Sequence, residues 1–247
     1  MFTKLVHLGR PTLRFAVAIA ALATLTGCQA IVSSAPEAQV RIIHATADAP
    51  GLDIYQGPTA LAYNLGFGSV TSYIPLTPGI YSIHADTAGS RQTLSSAKVT
   101  FAPSTQYTVL IGNSITSPQQ LTLIDQNQPT PSGQIALRFL NQATRAGAVD
   151  IYLVPTGQRP TSVTPLVTGI AFGANTGYLN IPANTYSLVM VPAGIAPTSA
   201  ATTYAGPQIT YSSGSARTVV LIDQQLVTTP GLRVITVNDF DSPGTAD

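Results

Sequence analysis

The chain has 247 residues, of which 9% are charged and 45% hydrophobic, and its formal net charge at pH 7 is +1. Ordinary globular domains contain roughly 25% charged residues, so we predict a surface of mostly uncharged polar groups. The near-neutral charge excludes the basic face that a nucleic-acid-binding protein needs. The hydrophobic content excludes a disordered chain, because it is sufficient to build a packed core.

The N-terminal segment has the order of a secretory signal. Three basic residues precede an apolar stretch over residues 15–25, and the run Leu-Thr-Gly-Cys ends at Cys28. This run resembles the lipobox of bacterial lipoproteins, which implies a signal peptide over residues 1–27, cleavage before Cys28 and acylation of that cysteine, with palmitate as one acyl chain. The apolar stretch is shorter than the roughly 17–25 residues of a transmembrane helix, so the predicted anchor is lipid. An ordinary secretory signal with an incidental cysteine is the alternative.

This anchor predicts a location in the bacterial cell envelope. The lipid-anchored chain would lie at the outer membrane of a Gram-negative bacterium, or on the outer face of the cell membrane of a Gram-positive one. Because Cys28 is the only cysteine, its acylation leaves no thiol for a disulfide, a metal site or a nucleophile.

Beyond the N-terminal segment, the sequence contains an internal repeat. Residues 40–44 (VRIIH) and 53–55 (DIY) are matched at an offset of 97, and later segments are matched at offsets of 105 and 110. The growing offset indicates insertions in the second copy. We therefore divide the rest of the chain into a lipidated spacer (28–38), a first repeat (39–128), a proline-rich linker (129–134), a second repeat (135–240) and a disordered tail (241–247).

Each repeat consists of short apolar or alternating runs separated by Gly, Pro, Asn and Ser, and helical periodicity is absent after Cys28. This pattern is typical of a β-sandwich. At about 100 residues, each copy is large enough to bury a core of its own. We predict an all-β chain with two tandem Ig-like antiparallel β-sandwich domains, each able to fold alone.

The opening of the first repeat, RIIHATADAPGLDIY over residues 41–55, resembles that of the bacterial domain of unknown function 4397 family. The later runs PGIY (78–81) and LTLID (121–125) fit the same pattern. The second copy lacks the histidine, aspartate and proline of the opening segment. The resemblance covers about residues 39–240 and implies exported or surface-attached β-sandwich modules with no established activity.

Two arginine–aspartate pairs recur at the same spacing. Arg41 and Asp53 are twelve residues apart, as are Arg138 and Asp150. We predict that each pair is a structural ion pair between strands, because its presence in both divergent copies favours a shared structural role. A ligand site is the alternative.

His44 and Asp48 are the candidates for a ligand site or, alternatively, for a loop-structuring role. With Asp53 nearby in sequence, a histidine oriented by a carboxylate could act as a general base. The alternative is that both side chains bind backbone groups of the loop over residues 45–51. The sequence has no Gly-x-Ser-x-Gly elbow and no metal-binding motif, so we predict no catalytic residue, no metal site and no cofactor.

Seven tyrosines could line a platform for a glycan or a peptide, because a tyrosine offers apolar area with a polar tip. Most of them recur between the copies, which favours core or half-buried strand positions. They are Tyr55, Tyr63, Tyr73, Tyr81, Tyr152, Tyr178 and Tyr186.

These observations predict a non-catalytic lipoprotein of the envelope that binds another surface component, a protein or a glycan, or acts as a structural spacer. Its predicted contact with the membrane is through the lipid on Cys28. The alternative is an extracellular or periplasmic hydrolase that acts on an envelope polymer through the first repeat. The surroundings of His44 distinguish the two functions.

Overall fold

The computed structural model describes residues 36–225 and 231–241. The predicted signal peptide, Cys28, most of the spacer and nearly all of the predicted tail lie outside the described residues. Among the residues that are described, no helix has the length and apolar character needed to cross a membrane.

Over the described residues the fold is all-β, as predicted, and each repeat supplies eight strands. The first repeat contributes β1 (Ala38–His44), β2 (Leu52–Gln56), β3 (Thr59–Leu65), β4 (Ile74–Leu76), β5 (Gly79–Thr87), β6 (Thr93–Phe101), β7 (Gln106–Ser114) and β8 (Ser117–Ile124). The second repeat contributes β9 (Gln134–Asn141), β10 (Val149–Pro155), β11 (Val167–Ile170), β12 (Asn175–Pro182), β13 (Thr185–Pro192), β14 (Tyr204–Thr210), β15 (Ala216–Asp223) and β16 (Leu232–Phe240). A 3-10 turn over Pro160–Ser162 lies between β10 and β11.

Each repeat forms two four-stranded sheets, and the strand order is the same in both repeats. The sheets β4-β1-β7-β8 and β12-β9-β15-β16 are called the inner sheets, and the sheets β3-β2-β5-β6 and β11-β10-β13-β14 the outer sheets. Every sheet is built from strands of one repeat. The predicted sandwich class is confirmed, with one parallel strand pair in each repeat: β1 lies parallel to β7, and β9 to β15.

An apolar core lies between the two sheets of each repeat. In the first repeat, Ile83 and Ala85 of β5 face this core, whereas Ser82, which precedes Ile83, is exposed, as strand alternation requires. Fully buried residues of the first core include Ile42, Ile54, Ile83 and Val109. Those of the second core include Phe139, Ile151, Met190 and Val219.

A third apolar cluster joins the two inner sheets face to face, so that the four sheets form four layers. We call this contact the seam. Its buried residues are Ile43, Ala45 and Leu110 of the first repeat with Leu140, Val220, Ile222, Ile235 and Val237 of the second. The central strands β1, β7, β9 and β15 are therefore buried on both faces, and the described residues belong to one compact unit. That each repeat folds alone stays a prediction.

Candidate functional site

Four charged side chains are buried within the seam. Arg41 on β1 of the first repeat pairs with Asp239 on β16 of the second. Arg138 on β9 of the second repeat pairs with Asp125, directly after β8 of the first, at 2.5 Å. Each of the four residues is at most 4% exposed. Arg41 also lies 3.4 Å from Asp125 of its own repeat. The arginine of each repeat is thus paired with a carboxylate of the other repeat.

The predicted ion pairs of Arg41 with Asp53 and of Arg138 with Asp150 are wrong. Both aspartates lie on outer sheets, on the far side of the sandwich core from the seam where the arginines lie. Each carboxylate instead accepts hydrogen bonds from two backbone N–H groups of nearby turns and loops. The donors are Asn64 and Gly89 for Asp53, and Gly169 and Gly194 for Asp150.

Two threonines complete the buried network by linking arginine to carboxylate. The hydroxyl of Thr108 accepts a hydrogen bond from Arg41 Nε at 2.8 Å and donates one to Asp125 at 2.6 Å. Thr218 makes the equivalent bonds at the same position of the second repeat, with Arg138 at 2.9 Å and Asp239 at 2.6 Å. Because the buried arginines and carboxylates are paired and hydrogen-bonded to one another and to the threonines, the free-energy cost of burying their charges is offset.

Two tyrosines cover the network from outside. Tyr73 donates a hydrogen bond to Asp125 at 2.8 Å, and its ring centroid lies 4.8 Å from the guanidinium carbon of Arg41. Tyr178 donates a hydrogen bond to Asp239 at 2.8 Å, and its ring centroid lies 4.6 Å from the guanidinium carbon of Arg138. Burial, reinforced by the adjacent carboxylates, raises the pKa of both phenols, so they remain hydrogen-bond donors. The network is a buried structural element with an approximate twofold relation between the repeats.

His44 is fully buried and binds backbone groups of the loop that follows β1. Its Nε2 donates to the carbonyl of Pro50 at 3.1 Å, and its Nδ1 accepts from the N–H of Thr46 at 3.2 Å. The ring also packs edge-on against Phe67, with centroids 6.1 Å apart. Burial lowers the pKa of His44, although the bond to Pro50 opposes the shift. These contacts correspond to the loop-structuring alternative and hold the imidazole neutral.

Asp48 binds a different group, since its carboxylate accepts a hydrogen bond from the N–H of Ile115 at 2.9 Å. It lies at a cleft of about 310 Å³ at one end of the seam. The cleft is lined by Ala47, Asp48, Asn113, Ser114, Thr144, Arg145, Asp223 and Gln225. The described residues contain no group of three or more side chains that could hold a metal ion.

An aromatic group lies on the solvent side of the outer sheet of the first repeat. Tyr55 on β2 stacks on its cross-strand neighbour His84 on β5, with ring centroids 5.1 Å apart and planes at 14°. Tyr63 on β3 meets Tyr55 edge-on at 6.2 Å and 87°. Tyr63 is 71% exposed, the largest exposure among the big apolar side chains described. We call Tyr55, Tyr63 and His84 the aromatic patch.

Polar groups border the aromatic patch along β5. Asp86 is two residues beyond His84, on the same face of the strand, and its Oδ2 lies 4.0 Å from His84 Nε2. The other oxygen of Asp86 is buried and has no hydrogen-bond partner among the described residues. On the opposite side, Ser82 and Ser96 bind each other at 3.1 Å. The exposed ring area of the patch is thus bordered by the Asp86 carboxylate, whose Oδ2 faces His84.

The corresponding face of the second repeat is covered. Tyr152 and Val189 occupy the positions of Tyr55 and His84, and both are at most 5% exposed. Val163, from the connection between β10 and β11, packs against them. That connection spans residues 156–166, whereas β2 and β3 are joined by Gly57 and Pro58 alone. The long connection of the second repeat therefore covers the outer sheet of that repeat. The short connection of the first repeat leaves the aromatic patch exposed.

The remaining tyrosines have structural contacts. The hydroxyls of Tyr81 and Tyr186 each donate to a carbonyl four residues earlier in the chain, that of Thr77 or of Pro182, at 3.0 Å. Such bonds resemble the tyrosine corner of Ig-like sandwiches. Of the seven tyrosines that the sequence offered as a platform, Tyr55 and Tyr63 form the exposed group.

The fold and these sites define a class of β protein with two sandwich repeats joined by a seam. Comparison with protein families finds a match to the family described as Domain of unknown function (DUF4397) over residues 38–152. This match confirms the resemblance predicted for the first repeat and covers a little under half of the chain. A search of curated proteins finds no significant match.

Three solved structures share partial likeness with the chain. An α-glucan-binding streptococcal virulence factor has 14% identity and a TM-score of 0.24, over 62% of this chain and 79% of its own. A CBM26 module of Eubacterium rectale Amy13K, solved with maltoheptaose, has 10% identity and a TM-score of 0.23, over 84% and 98%. A putative cell adhesion protein of Bacteroides fragilis has 10% identity and a TM-score of 0.20, over 84% and 99%. At these TM-scores, the likeness carries no argument about a ligand.

Proposed function

We propose that this chain is an exported, lipid-anchored and non-catalytic binding module, and that it binds another component of the cell surface through the aromatic patch. The observation that carries the proposal is the exposure of Tyr63 beside Tyr55 on a sheet face whose counterpart in the second repeat is covered. The proposed location is the bacterial envelope, with the lipid on Cys28 as the anchor.

The physical character of the patch supports binding. A tyrosine offers a large, amphipathic contact area and loses little conformational entropy when a ligand fixes it, because it has only two side-chain torsions. Tyr55 and His84 are a cross-strand pair within a sheet, so their positions are set by the backbone of β2 and β5. Sites built on strands are more precise than sites built on loops.

The surroundings of His44 favour binding over hydrolysis. A general base must reach the proton that it removes, directly or through one water. Both ring nitrogens of His44 are bound to backbone groups of the adjoining loop, and the residue is 0% exposed. The second repeat, held to the first by the seam, would then serve as a rigid support for the binding face.

Capture of envelope fragments from the producing bacterium tests this proposal. The full-length protein, displayed on beads, should retain fragments, and Tyr63→Ala should retain fewer. Ile124→Ala is the matched control, since Ile124 is 66% exposed but lies at the end of β8 in an inner sheet. Equal capture by all three proteins would refute the role of the patch. Degradation of an envelope polymer by the wild-type protein that disappears in a folded His44→Asn variant would favour the hydrolase.

A further inference from the structure

We propose that the ligand of the aromatic patch is an uncharged glycan, bound by stacking of a sugar ring on Tyr63 and by hydrogen bonds to Asp86 and His84. This inference rests on the proposed function, because it names the class of ligand for the same surface. Three observations carry it: the geometry of the rings, the Asp86 carboxylate beside His84, and the balance of charges around the patch.

The rings suit the apolar face of a sugar. The face of an aromatic ring carries negative charge density and attracts the slightly positive C–H groups that line one side of a pyranose. Tyr63 stands at 87° to Tyr55, so the two rings form a corner, and Tyr63 leaves most of its area to solvent. A sugar ring packed on Tyr63 would keep its hydroxyl-bearing edge free to reach the neighbouring polar groups.

Asp86 supplies an acceptor for those hydroxyls. Its Oδ2 lies 4.0 Å from His84 Nε2 on a side chain that is 12% exposed, whereas its Oδ1 is buried beyond the reach of a ligand. A hydrogen bond to an ionised acceptor is stronger than one to a neutral group, so a ligand hydroxyl that donates to Oδ2 would contribute to binding. His84, whose side chain is 25% exposed, lies beside it with its ring held by Tyr55. The polar contacts are therefore pre-arranged at the edge of the aromatic surface.

The charges near the patch favour an uncharged ligand. Asp53 and Asp86 are cross-strand partners beside Tyr55 and His84, which disfavours an anionic polymer. Arg91 is close enough to act electrostatically on Tyr55, and Lys98 on β6 is the cross-strand partner of Ser82. Two acidic and two basic groups thus balance around the rings. A ligand that carries only neutral hydroxyl groups brings no charge of its own, so it fits a surface whose acidic and basic groups already balance.

The arrangement of the patch across the sheet favours an extended ligand. His84, Tyr55 and Tyr63 belong to β5, β2 and β3, which are consecutive in the sheet. Neighbouring strands are roughly 4.8 Å apart, so the three rings form a row that successive sugar units can follow. We expect affinity to rise with the length of the oligosaccharide until the row is filled.

The test measures binding of the full-length protein, in detergent, to soluble polysaccharides by affinity electrophoresis. The neutral probes are an α-glucan, a β-glucan, a mannan and the neutral glycan fraction of the producing bacterium's own envelope. Alginate is the anionic probe, and choline chloride, followed by calorimetry, is the cationic one. We expect binding to at least one neutral probe and none to alginate or choline. Tyr63→Ala should weaken that binding about tenfold or more. Asp86→Asn should also weaken it, and Ile124→Ala should leave it unchanged.

Binding of alginate or choline alone, or neutral binding that Tyr63→Ala leaves intact, would overturn the inference. The thermal unfolding of each variant verifies that it is folded. Capture of envelope fragments that depends on Tyr63 but is lost after protease treatment, with no neutral probe bound, would indicate a protein ligand. In that case the proposed binding function would stand and the glycan inference would fail.

Discussion

Asn141 of the second repeat takes the place of His44 of the first and makes the same two hydrogen bonds. Each side chain accepts from the N–H two residues later and donates to the carbonyl six residues later. The partners are Thr46 and Pro50 for His44, and Ala143 and Gly147 for Asn141, at distances of 2.9 to 3.3 Å. Asn141 Nδ2 also donates to the carbonyl of Ile170 at 2.9 Å. An amide and a neutral imidazole thus satisfy the same two loop groups, and of the two only the imidazole can gain a proton.

This relationship predicts a pH dependence that one substitution removes. The pKa of His44 is lowered by burial from its ordinary 6.5. Below about pH 6.5 the unfolded chain binds a proton that the folded chain does not, so the free energy of unfolding falls as the pH drops toward the folded-state pKa. His44→Asn should match the wild-type protein at pH 7.5 within about 1 kcal/mol and lose less stability at pH 5.5. Urea unfolding at both pH values measures the difference.

The reciprocal variant Asn141→His is the control for this prediction. It places an imidazole in the corresponding loop and should add to the loss of stability on acidification. All other titratable groups are common to the three proteins, so their contributions cancel in the comparison. Identical pH profiles for the wild-type protein and His44→Asn would contradict the assigned role.

Removal of the Asp125 carboxylate should be far more damaging than removal of the Asp53 carboxylate. Asp125 is 3% exposed and accepts hydrogen bonds from Arg138, Thr108 and Tyr73. Asp125→Ala leaves a buried arginine without its counter-ion, which typically costs about 3–5 kcal/mol. Asp53→Ala removes bonds at an exposed loop and should cost about 1 kcal/mol. Chemical denaturation distinguishes the two, and comparable losses would show that the seam network is not a major source of stability.

An isolated first repeat is expected to form a dimer. In the full chain Arg41 pairs with Asp239, which stands in the second repeat where Asp125 stands in the first. Two copies of the fragment 36–128 could place each Arg41 against the other copy's Asp125 and bury the apolar seam face again. Light scattering coupled to gel filtration measures the mass. Leu110→Glu, in the centre of that face, should give a monomer or an unfolded chain.

A folded monomer of the unsubstituted fragment at about 100 μM would contradict this expectation. Soluble monomers rarely expose a large continuous apolar surface, and the monomeric fragment would expose its whole seam face. An unfolded fragment would show that the second repeat is needed for folding. Either result bears on the expectation that each repeat folds alone.

The lipid anchor is tested by Cys28→Ser, at a position that lies outside the described residues. Acyl chains contribute about 0.8 kcal/mol per buried methylene, so their loss should move the protein from the membrane fraction to the soluble fraction and abolish labelling by a fatty-acid analogue. Ser33→Ala in the same spacer should remain bound. Membrane retention of the serine variant would refute the lipoprotein interpretation.

The seam could have been predicted from the hydrophobic pattern of the central strands. Strand β5 alternates apolar and polar residues because one of its faces is wet, but β1 and β7 carry continuous apolar runs such as Val109-Leu110-Ile111. Such runs are typical of strands that are buried on both faces. Two separate sandwiches do not account for them, whereas two inner sheets in contact do.

The ion-pair partner of Arg41 could not be predicted from the sequence. Asp239 lies 198 residues away, in the other repeat, and nearness along the chain favoured Asp53. The exposure of Tyr55 could not be predicted either, because its equivalent Tyr152 is the same residue type in the same run. Tyr152 is buried because the longer connection between β10 and β11 packs on its sheet face, whereas no such connection covers Tyr55 among the described residues.

The order of the four layers makes the molecule one-sided. The aromatic patch belongs to the outermost layer at one end, and the outermost layer at the other end is closed by its own connection. If the proposed glycan binding holds, a single chain binds a long polymer at one site and does not bridge two strands of it. Under the proposed function, firm attachment to a repeating ligand would have to come from many copies side by side on one surface, so that the surface density of the protein would set the strength of attachment.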